Sequence, residues 1–342
     1  MKCAVVLFNL GGPDAPAAVR PFLTNLFSDP AIIGLPGFLR WPLARFIAAR
    51  RTPLAREIYA KMGGASPILP QTAAQAAALD VELARRGLTA RSFIAMRYWK
   101  PFSDTAAKAA KAWGADRAVL LPLYPQYSTT TTGSSVEAWR KAAKKAGLGA
   151  SEARICCYPW NKGFVATEVR LLREALAARA TGIEYRVLFS AHGLPKRVVA
   201  AGDPYQWQVE KTVAAIVDGL GIVGLDHTVC YQSRVGPLEW IGPATDAEIR
   251  RAGSEGKGVI VVPVAFVSEH SETLVELDVE YAHLARDAGV PNYVRVATVG
   301  TAPEFIAGLA DLVEAALGTN APATCGPGRI CPRDRGRCGF GD

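Results

Sequence analysis

No stretch of about eighteen consecutive apolar residues occurs in this 342-residue chain, which excludes a membrane-spanning helix. Signal-peptide features are missing too. Met1-Lys2-Cys3 leads straight into Ala4-Val5-Val6-Leu7-Phe8, a strand-like run without the length or cleavage site of a leader, so the cytoplasm is the expected compartment. No recognised nucleic-acid motif is present, and the Gly- and Thr-rich loops lack the Lys of a P-loop, so no nucleic-acid or nucleoside triphosphate partner is expected. Acidic residues are the scarcer charge, 31 against 39 Lys and Arg, and a basic protein of this kind is drawn to anionic surfaces or carboxylate-bearing ligands. Disorder-like composition is absent until roughly the last two dozen residues. The seven cysteines include no paired CxxC, and in a cytoplasmic chain they read as metal ligands or buried thiols rather than disulfides.

What is present reads as α/β with parallel sheets. The runs 4–8, 92–96, 118–123, 186–190, 228–231 and 259–264 are apolar and separated by amphipathic, Ala-rich segments. A weak internal repeat sharpens this. Val6-Leu7-Phe8-Asn9-Leu10-Gly11-Gly12-Pro13 resembles Val187-Leu188-Phe189-Ser190-Ala191-His192-Gly193-Leu194-Pro195 at an offset of 181, and Val119-Leu120-Leu121-Pro122 resembles Val261-Val262-Pro263 at an offset near 141. Two doubly wound halves with a ligand cleft between them are implied, at 1–150 and 151–318, followed by a Cys-containing tail at 319–342. The first half carries roughly 40 extra residues, among them a lip at 30–52 rich in Leu, Ile, Phe and Trp. Pro36 and Pro42 break its helical period, and large apolar residues mixed with Arg suit a surface that dips into a membrane interface.

The richest stretch runs from Gly258 to Glu280. A β-branched run, Val259 to Val264, reads as a strand buried on both faces. Polarity then arrives abruptly in Ser268, Glu269, His270, Ser271 and Glu272, and Glu272, Glu276 and Glu280 recur every four residues, which on a helix lines them along one face. Like charges at that spacing repel, so the row reads as a path for cations or protons, with a solvated acidic face as the alternative. His192, two residues past another buried strand, sits at the matching strand end, and a His with a carboxylate supplies both a base near neutrality and an anionic partner for a proton or metal ion. Arg97-Tyr98-Trp99 and the loop carrying Trp240 place aromatic faces suited to a flat conjugated ligand. In the tail, Cys325, Cys331 and Cys338 lie in a Gly-, Pro- and Arg-rich segment; a four-thiolate site needs one more ligand from Cys156, Cys157, Cys3 or Cys230, and either zinc or an iron–sulfur cluster accepts such a set.

Taken together, FNLGGP at 8–13, RRTP at 50–53, GGASP at 63–67, RYW at 97–99, YPQYSTTTTGSS at 124–135, LFSAHGLP at 188–195, QSRVGPLEWIGP at 232–243 and AFVSEHSETLVELDVEY at 265–281 closely resemble the ferrochelatases, which insert ferrous iron into a porphyrin. The resemblance implies two Rossmann-like halves of chelatase type, Fe²⁺ and protoporphyrin IX as substrates, and His192 and Glu272 as the pair that delivers metal and removes pyrrole protons. It implies a metal path through Glu276, Glu280 and His270, and porphyrin contacts from Asn9, Leu10, Arg51, Ser66, Arg97, Tyr98, Trp240 and Phe266. The apolar lip resembles that of family members acting on protoporphyrin, on the inner face of a membrane, rather than those acting on coproporphyrin. A cobalt or nickel chelatase and a non-catalytic tetrapyrrole-binding protein are the alternatives; a homodimer is compatible with the resemblance. The tail resembles the [2Fe–2S] extension of some members, with Cys325, Cys331 and Cys338 as ligands. Animal enzymes place the fourth ligand in the loop corresponding to 128–130, where this chain has Thr129, so Cys157 or Cys156 is the expected substitute.

Overall fold

The structure, a computed structural model, describes every residue except 235, 320 and 342. The chain divides into two compact units, the first made of Met1–Cys157, Leu309–Ile330 and the residues after Cys338, the second of Tyr158–Gly308 and Cys331–Cys338.

The first unit runs β1 (Cys3–Asn9), α1 (Val19–Phe27), α2 (Gly37–Ala60), α3 (Ile68–Arg85), β2 (Ala90–Met96), α4 (Ser103–Trp113), β3 (Arg117–Pro122), α5 (Ser134–Ala146) and β4 (Ser151–Cys157). β1 is seven buried residues in succession, as a central strand covered on both faces must be. Ala4, Val6 and Phe8 on one face pack with Ala106, Ala107 and Ala110 of α4 and Val136 and Trp139 of α5. Helices α4 and α5 stop at Gly114 and Gly147, whose left-handed backbone only glycine adopts cheaply.

The second unit runs α6 (Lys162–Ala177), β5 (Tyr185–His192), α7 (Lys196–Ala200), α8 (Tyr205–Leu220), β6 (His227–Gln232), α9 (Thr245–Ser254), β7 (Gly258–Val262), a π-helix at Glu272–Glu280, α10 (Tyr281–Asp287), β8 (Tyr293–Arg295) and the first part of α11 (Pro303–Leu317), whose remainder returns to the first unit with β9 (Ala323–Thr324). Alternation along β5 sorts its two faces. Val187, Phe189 and Ala191 meet the apolar sides of α6 and α8, while Leu188 meets α9, α10 and Leu277. Each such fully buried side chain contributes about 1.5–3 kcal/mol of hydrophobic stabilisation. Strand order is β2-β1-β3-β4-β9 in the first sheet and β6-β5-β7-β8 in the second, and every pairing is parallel.

Four features differ from the sequence reading. The division falls after β4, because β4 pairs with β3 in the first sheet, and the end of α11 returns there because Arg86 pairs with Asp311 and Glu314 while Arg117 donates to the carbonyls of Ala316 and Thr319. The tail is likewise no separate piece: Leu309–Ile330 goes with the first unit and Cys331–Cys338 with the second. The lip prolines do not break their helix, since α2 continues through Pro42 and Pro53. The carbonyls that the ring nitrogens of Pro42 and Pro53 cannot serve belong to Phe38 and Ala49, both exposed residues. Finally, the glutamate row lies on a π-helix, a wider coil than the α-helix its spacing implied. Side-chain donors from Gln232 and Tyr293 reach the carbonyls of Glu272 and Leu277 in that segment.

Glu168 of α6 is fully buried, and neither carboxylate oxygen has a hydrogen-bond partner. Burial pushes its carboxyl up to about 8, so it is held as the neutral acid. A raised carboxyl leaves stability intact below its unfolded value and removes it as pH rises toward the folded one. Glu168→Gln is therefore expected to raise the melting temperature by several degrees at pH 8 and to leave it nearly unchanged at pH 4.5, measured by calorimetry across that range.

Candidate active site

Parallel pairing in the second unit sets His192, the last residue of β5, level with Gln232, the last of β6. At the carboxyl end of such a sheet the chain must turn away, and Gly193 makes that turn tight: its N–H donates to the Gln232 carbonyl at 2.8 Å, and a Cβ there would lie 2.9 Å from that oxygen and 3.2 Å from the Trp240 ring. The imidazole Nδ1 of His192 lies 2.6 Å from the Gly193 carbonyl, and the Tyr205 hydroxyl donates to the His192 carbonyl. The ring is thereby held with Nε2 directed at the carboxylate of Glu272, 3.6 Å from Oε1.

Beyond β7 the chain reaches His270, which is buried and has Nδ1 beside the Ser268 carbonyl at 3.1 Å. Its Nε2 lies 3.6 Å from Oε2 of Glu272, so the carboxylate has one imidazole against each oxygen. The Phe266 ring packs on that of His270 with centroids 4.7 Å apart. Burial raises the Glu272 carboxyl, but the facing charge of His192 and the His270 hydrogen bond outweigh it and bring it down to about 2, so Glu272 stays ionised through any ordinary pH.

Glu276, one turn on, differs. Its Oε1 accepts from the Ser233 N–H at 2.8 Å and the Tyr281 hydroxyl at 3.0 Å, and its Oε2 from Gln232 Nε2 at 3.0 Å and the Ser233 hydroxyl at 2.5 Å. Burial and the charge of Glu272 nevertheless push its carboxyl up, against those donors. The two neighbouring carboxyls are thus shifted in opposite directions. Glu280 closes the π-helix at an exposed position. Glu269, adjacent in sequence, is occupied with Arg295 and the Thr298 N–H.

The second unit thus brings His192, His270, Glu272, Glu276, Phe266 and Trp240 together, as the sequence grouped them. Trp240 makes an antiparallel bridge to Pro195, and its ring N–H is buried without a hydrogen-bond partner.

In the first unit, the Asn9 amide is spent on Thr72 and the Leu10 N–H, and Leu10 packs partly buried beside the cluster of α1 and α2. Ser66 takes the Pro13 carbonyl and presses on Gly12, where a Cβ would come within 2.5 Å of it. Arg51 lies over the Phe27 ring, and burial lowers the pKa of its guanidinium. Arg97 and Tyr98 are engaged internally: Arg97 Nη2 and the Tyr98 hydroxyl both bond Asp29, at 2.8 and 2.7 Å, and Arg97 Nε donates to the Ser134 hydroxyl. Sequence reading passed over Asp29, a buried carboxylate between α1 and α2 that holds both of these side chains.

Among the described residues no group of three or more His, Cys, Asp or Glu is arranged as a metal-holding set, the tail cysteines included. Cys331 accepts a hydrogen bond from Gln208 at 3.0 Å.

The sequence model of the ferrochelatase family matches residues 2–317. A ferrochelatase from Caulobacter vibrioides is 54% identical over 341 residues, covering 98% of this chain and 97% of that protein. Another from Phenylobacterium zucineum is 56% identical over 340 residues, covering 99% and 98%. The structure of the sirohydrochlorin chelatase SirB from Bacillus subtilis subspecies spizizenii in complex with cobalt, at 14% identity, superposes with a TM-score of 0.54 over 94% of this chain and 97% of that one, a likeness of fold. By extent and identity of the match, the chain belongs to the ferrochelatase family.

Proposed function

We propose that the protein inserts Fe²⁺ into protoporphyrin IX to form protohaem, with His192 and Glu272 as the reacting pair. The observation that carries the reading is the carboxylate of Glu272 set between two imidazole nitrogens, 3.6 Å from each. Metallation of a porphyrin requires two pyrrole N–H protons to leave as the cation arrives. A carboxylate that remains charged offers the hard Fe²⁺ an oxygen ligand and is a poor proton acceptor, whereas an imidazole exchanges protons near neutrality. Glu272 and His192 together supply an oxygen ligand for the cation and an acceptor for the pyrrole protons. His270 orients Glu272 from its other oxygen.

Glu276 and Glu280 continue from Glu272 along the π-helix, and the metal approaches by that route. With four donors on its two oxygens, Glu276 acts on this path through charge and proton uptake more than through an open coordination position. Trp240 and Phe266 in the second unit, and Asn9, Leu10, Arg51, Ser66, Arg97 and Tyr98 in the first, complete the proposed porphyrin contacts. Of these, Arg97 contributes its remaining guanidinium edge, and Tyr98, 1% exposed with Arg97 over its ring, acts by holding Arg97 and Asp29 in place.

The protein works at the cytoplasmic face of a membrane. No helix of the described residues is long and apolar enough to cross one. Support for a peripheral position comes from α2, which exposes Phe38, Leu39, Trp41, Phe46 and Leu54, with Arg45 stacked on Trp41 and Arg50 on Phe46. Apolar rings beside cations are what an anionic lipid interface accepts. A homodimer is part of the same reading.

The tail carries a [2Fe–2S] cluster on Cys325, Cys331, Cys338 and Cys157 or Cys156. Support comes from three thiols in a short segment with little else to bury, from the burial of Cys331 and Cys338, and from the Gln208 donor at the Cys331 sulfur. Among the described residues no three of these groups form a set around a single metal ion, and no step of the reaction is routed through a cluster.

Purified protein mixed anaerobically with protoporphyrin and ferrous iron should form haem faster than the same mixture without it, and equal rates would overturn the reading. His192→Ala and Glu272→Ala should each lower turnover by at least about 100-fold, followed by haem absorbance. Phe38→Ser combined with Trp41→Ser should weaken co-sedimentation with vesicles containing anionic lipid while leaving turnover of detergent-dispersed porphyrin intact. Iron and acid-labile sulfide in equal amounts, with visible absorption, are expected of the isolated protein; a colourless preparation with stoichiometric zinc would contradict the cluster.

A further inference from the structure

One amide in the second unit connects the two elements that carry the reacting pair. Gln232 is 1% exposed and ends β6 level with His192. Its Oε1 accepts from the hydroxyl of Ser190 at 2.8 Å, two residues before His192 on β5, and that hydroxyl is itself 2.9 Å from Thr245 at the start of α9. Its Nε2 donates twice, to the backbone carbonyl of Glu272 at 2.9 Å and to Oε2 of Glu276 at 3.0 Å. Both N–H donors and the carbonyl of the amide are therefore used, one side on the histidine's strand and the other on the π-helix.

A glutamine whose only task was to fill the core would be poorly chosen. An apolar side chain of equal volume fills the same space without needing three partners, and a buried amide costs stability unless every one is found. The partners here lie at the two places whose separation decides the His192–Glu272 distance. The neighbouring residue adds to this: Ser233 has φ of 60°, a left-handed backbone that a non-glycine residue adopts only when held, and Glu276 holds it through both its N–H and its hydroxyl. The Gln232 donor to the Glu272 carbonyl is the hydrogen bond that reaches the first turn of the π-helix from the end of β6, while Glu276 bonds the loop beyond it.

We propose that Gln232 is a positioning residue for metal insertion, clamping the start of the π-helix to the end of β5 so that the Glu272 carboxylate stands at its working distance from His192. It touches neither substrate in this role. The proposal rests on the reading of His192 and Glu272 as the reacting pair.

Two variants test it. Gln232→Met keeps the volume and removes all three bonds; Gln232→Glu keeps the acceptor for Ser190, removes both donors and sets a second carboxylate against Glu276. Each is compared with wild type in anaerobic steady-state kinetics, with kcat corrected for folded protein by circular dichroism. The expected result is an increase of about 10- to 100-fold in the KM for Fe²⁺, the range seen when residues orienting a metal ligand are lost, with the KM for protoporphyrin within about two-fold of wild type. Should Gln232→Met fail to fold, Gln232→Glu alone decides. A variant whose Fe²⁺ KM and corrected kcat both stay within about two-fold overturns the proposal, as does a loss of activity accounted for entirely by a smaller folded fraction. A wild-type protein that forms no haem overturns the parent reading, and this proposal with it; an active wild type with an unaffected variant overturns this proposal alone.

Discussion

Pairing of β5 with β6 and β7 is the constraint on which the site depends. A parallel ladder delivers all of its strands' carboxyl ends to one edge, and there the chain must leave the sheet and expose polar backbone. In the second unit that edge carries His192, Gln232 and the loop leading from β7 to His270 and Glu272. Hydrophobic burial on both faces of the sheet keeps those strand ends in register, so the distances between the polar groups are inherited from the core. The acid–base character of the pair then follows from placement: a carboxylate between two imidazoles is held ionised, while one set beside another carboxylate is pushed toward its neutral form.

Buried carboxylates are used in two different ways. Asp29 and Glu276 each gather several donors and thereby fix a loop against a strand end, Asp29 through Arg97 and Tyr98 and Glu276 through Gln232 and Ser233. Glu168 gathers none and is held neutral. The difference is one of partners, since the cost of burying a charge is offset only when donors surround it. Polar networks of this kind set positions that apolar packing alone leaves loose.

Much of the fold was legible because burial has a period. The runs that became β1, β2, β3, β5, β6 and β7 are continuous apolar stretches, as strands covered on both faces require, and the internal repeat matched the two places where such a strand meets a polar loop. The short strands β8 and β9 were missed, since three and two residues carry no pattern. α2 was misread because its prolines were weighed as breakers, whereas they fall on a helix whose residues four positions earlier, Phe38 and Ala49, are exposed. The glutamate row was found by its four-residue spacing, but that spacing presumes an α-helix, and the π-helix is set by donors from Gln232 and Tyr293 that lie far away in the chain.

By itself the sequence determined the class of fold, the family, and the identity of the groups able to do the chemistry, because residue type, spacing and periodicity are properties of the chain read in order. Tertiary structure decided which of those groups act alike. His192 and His270 flank one carboxylate although 78 positions separate them; Glu272 and Glu276, alike in sequence, are shifted in opposite directions; Arg97 and Tyr98 turn inward to Asp29. Each of these outcomes depends on distance through space and on the donors within about 3 Å of an atom, and neither quantity is written in the order of residues.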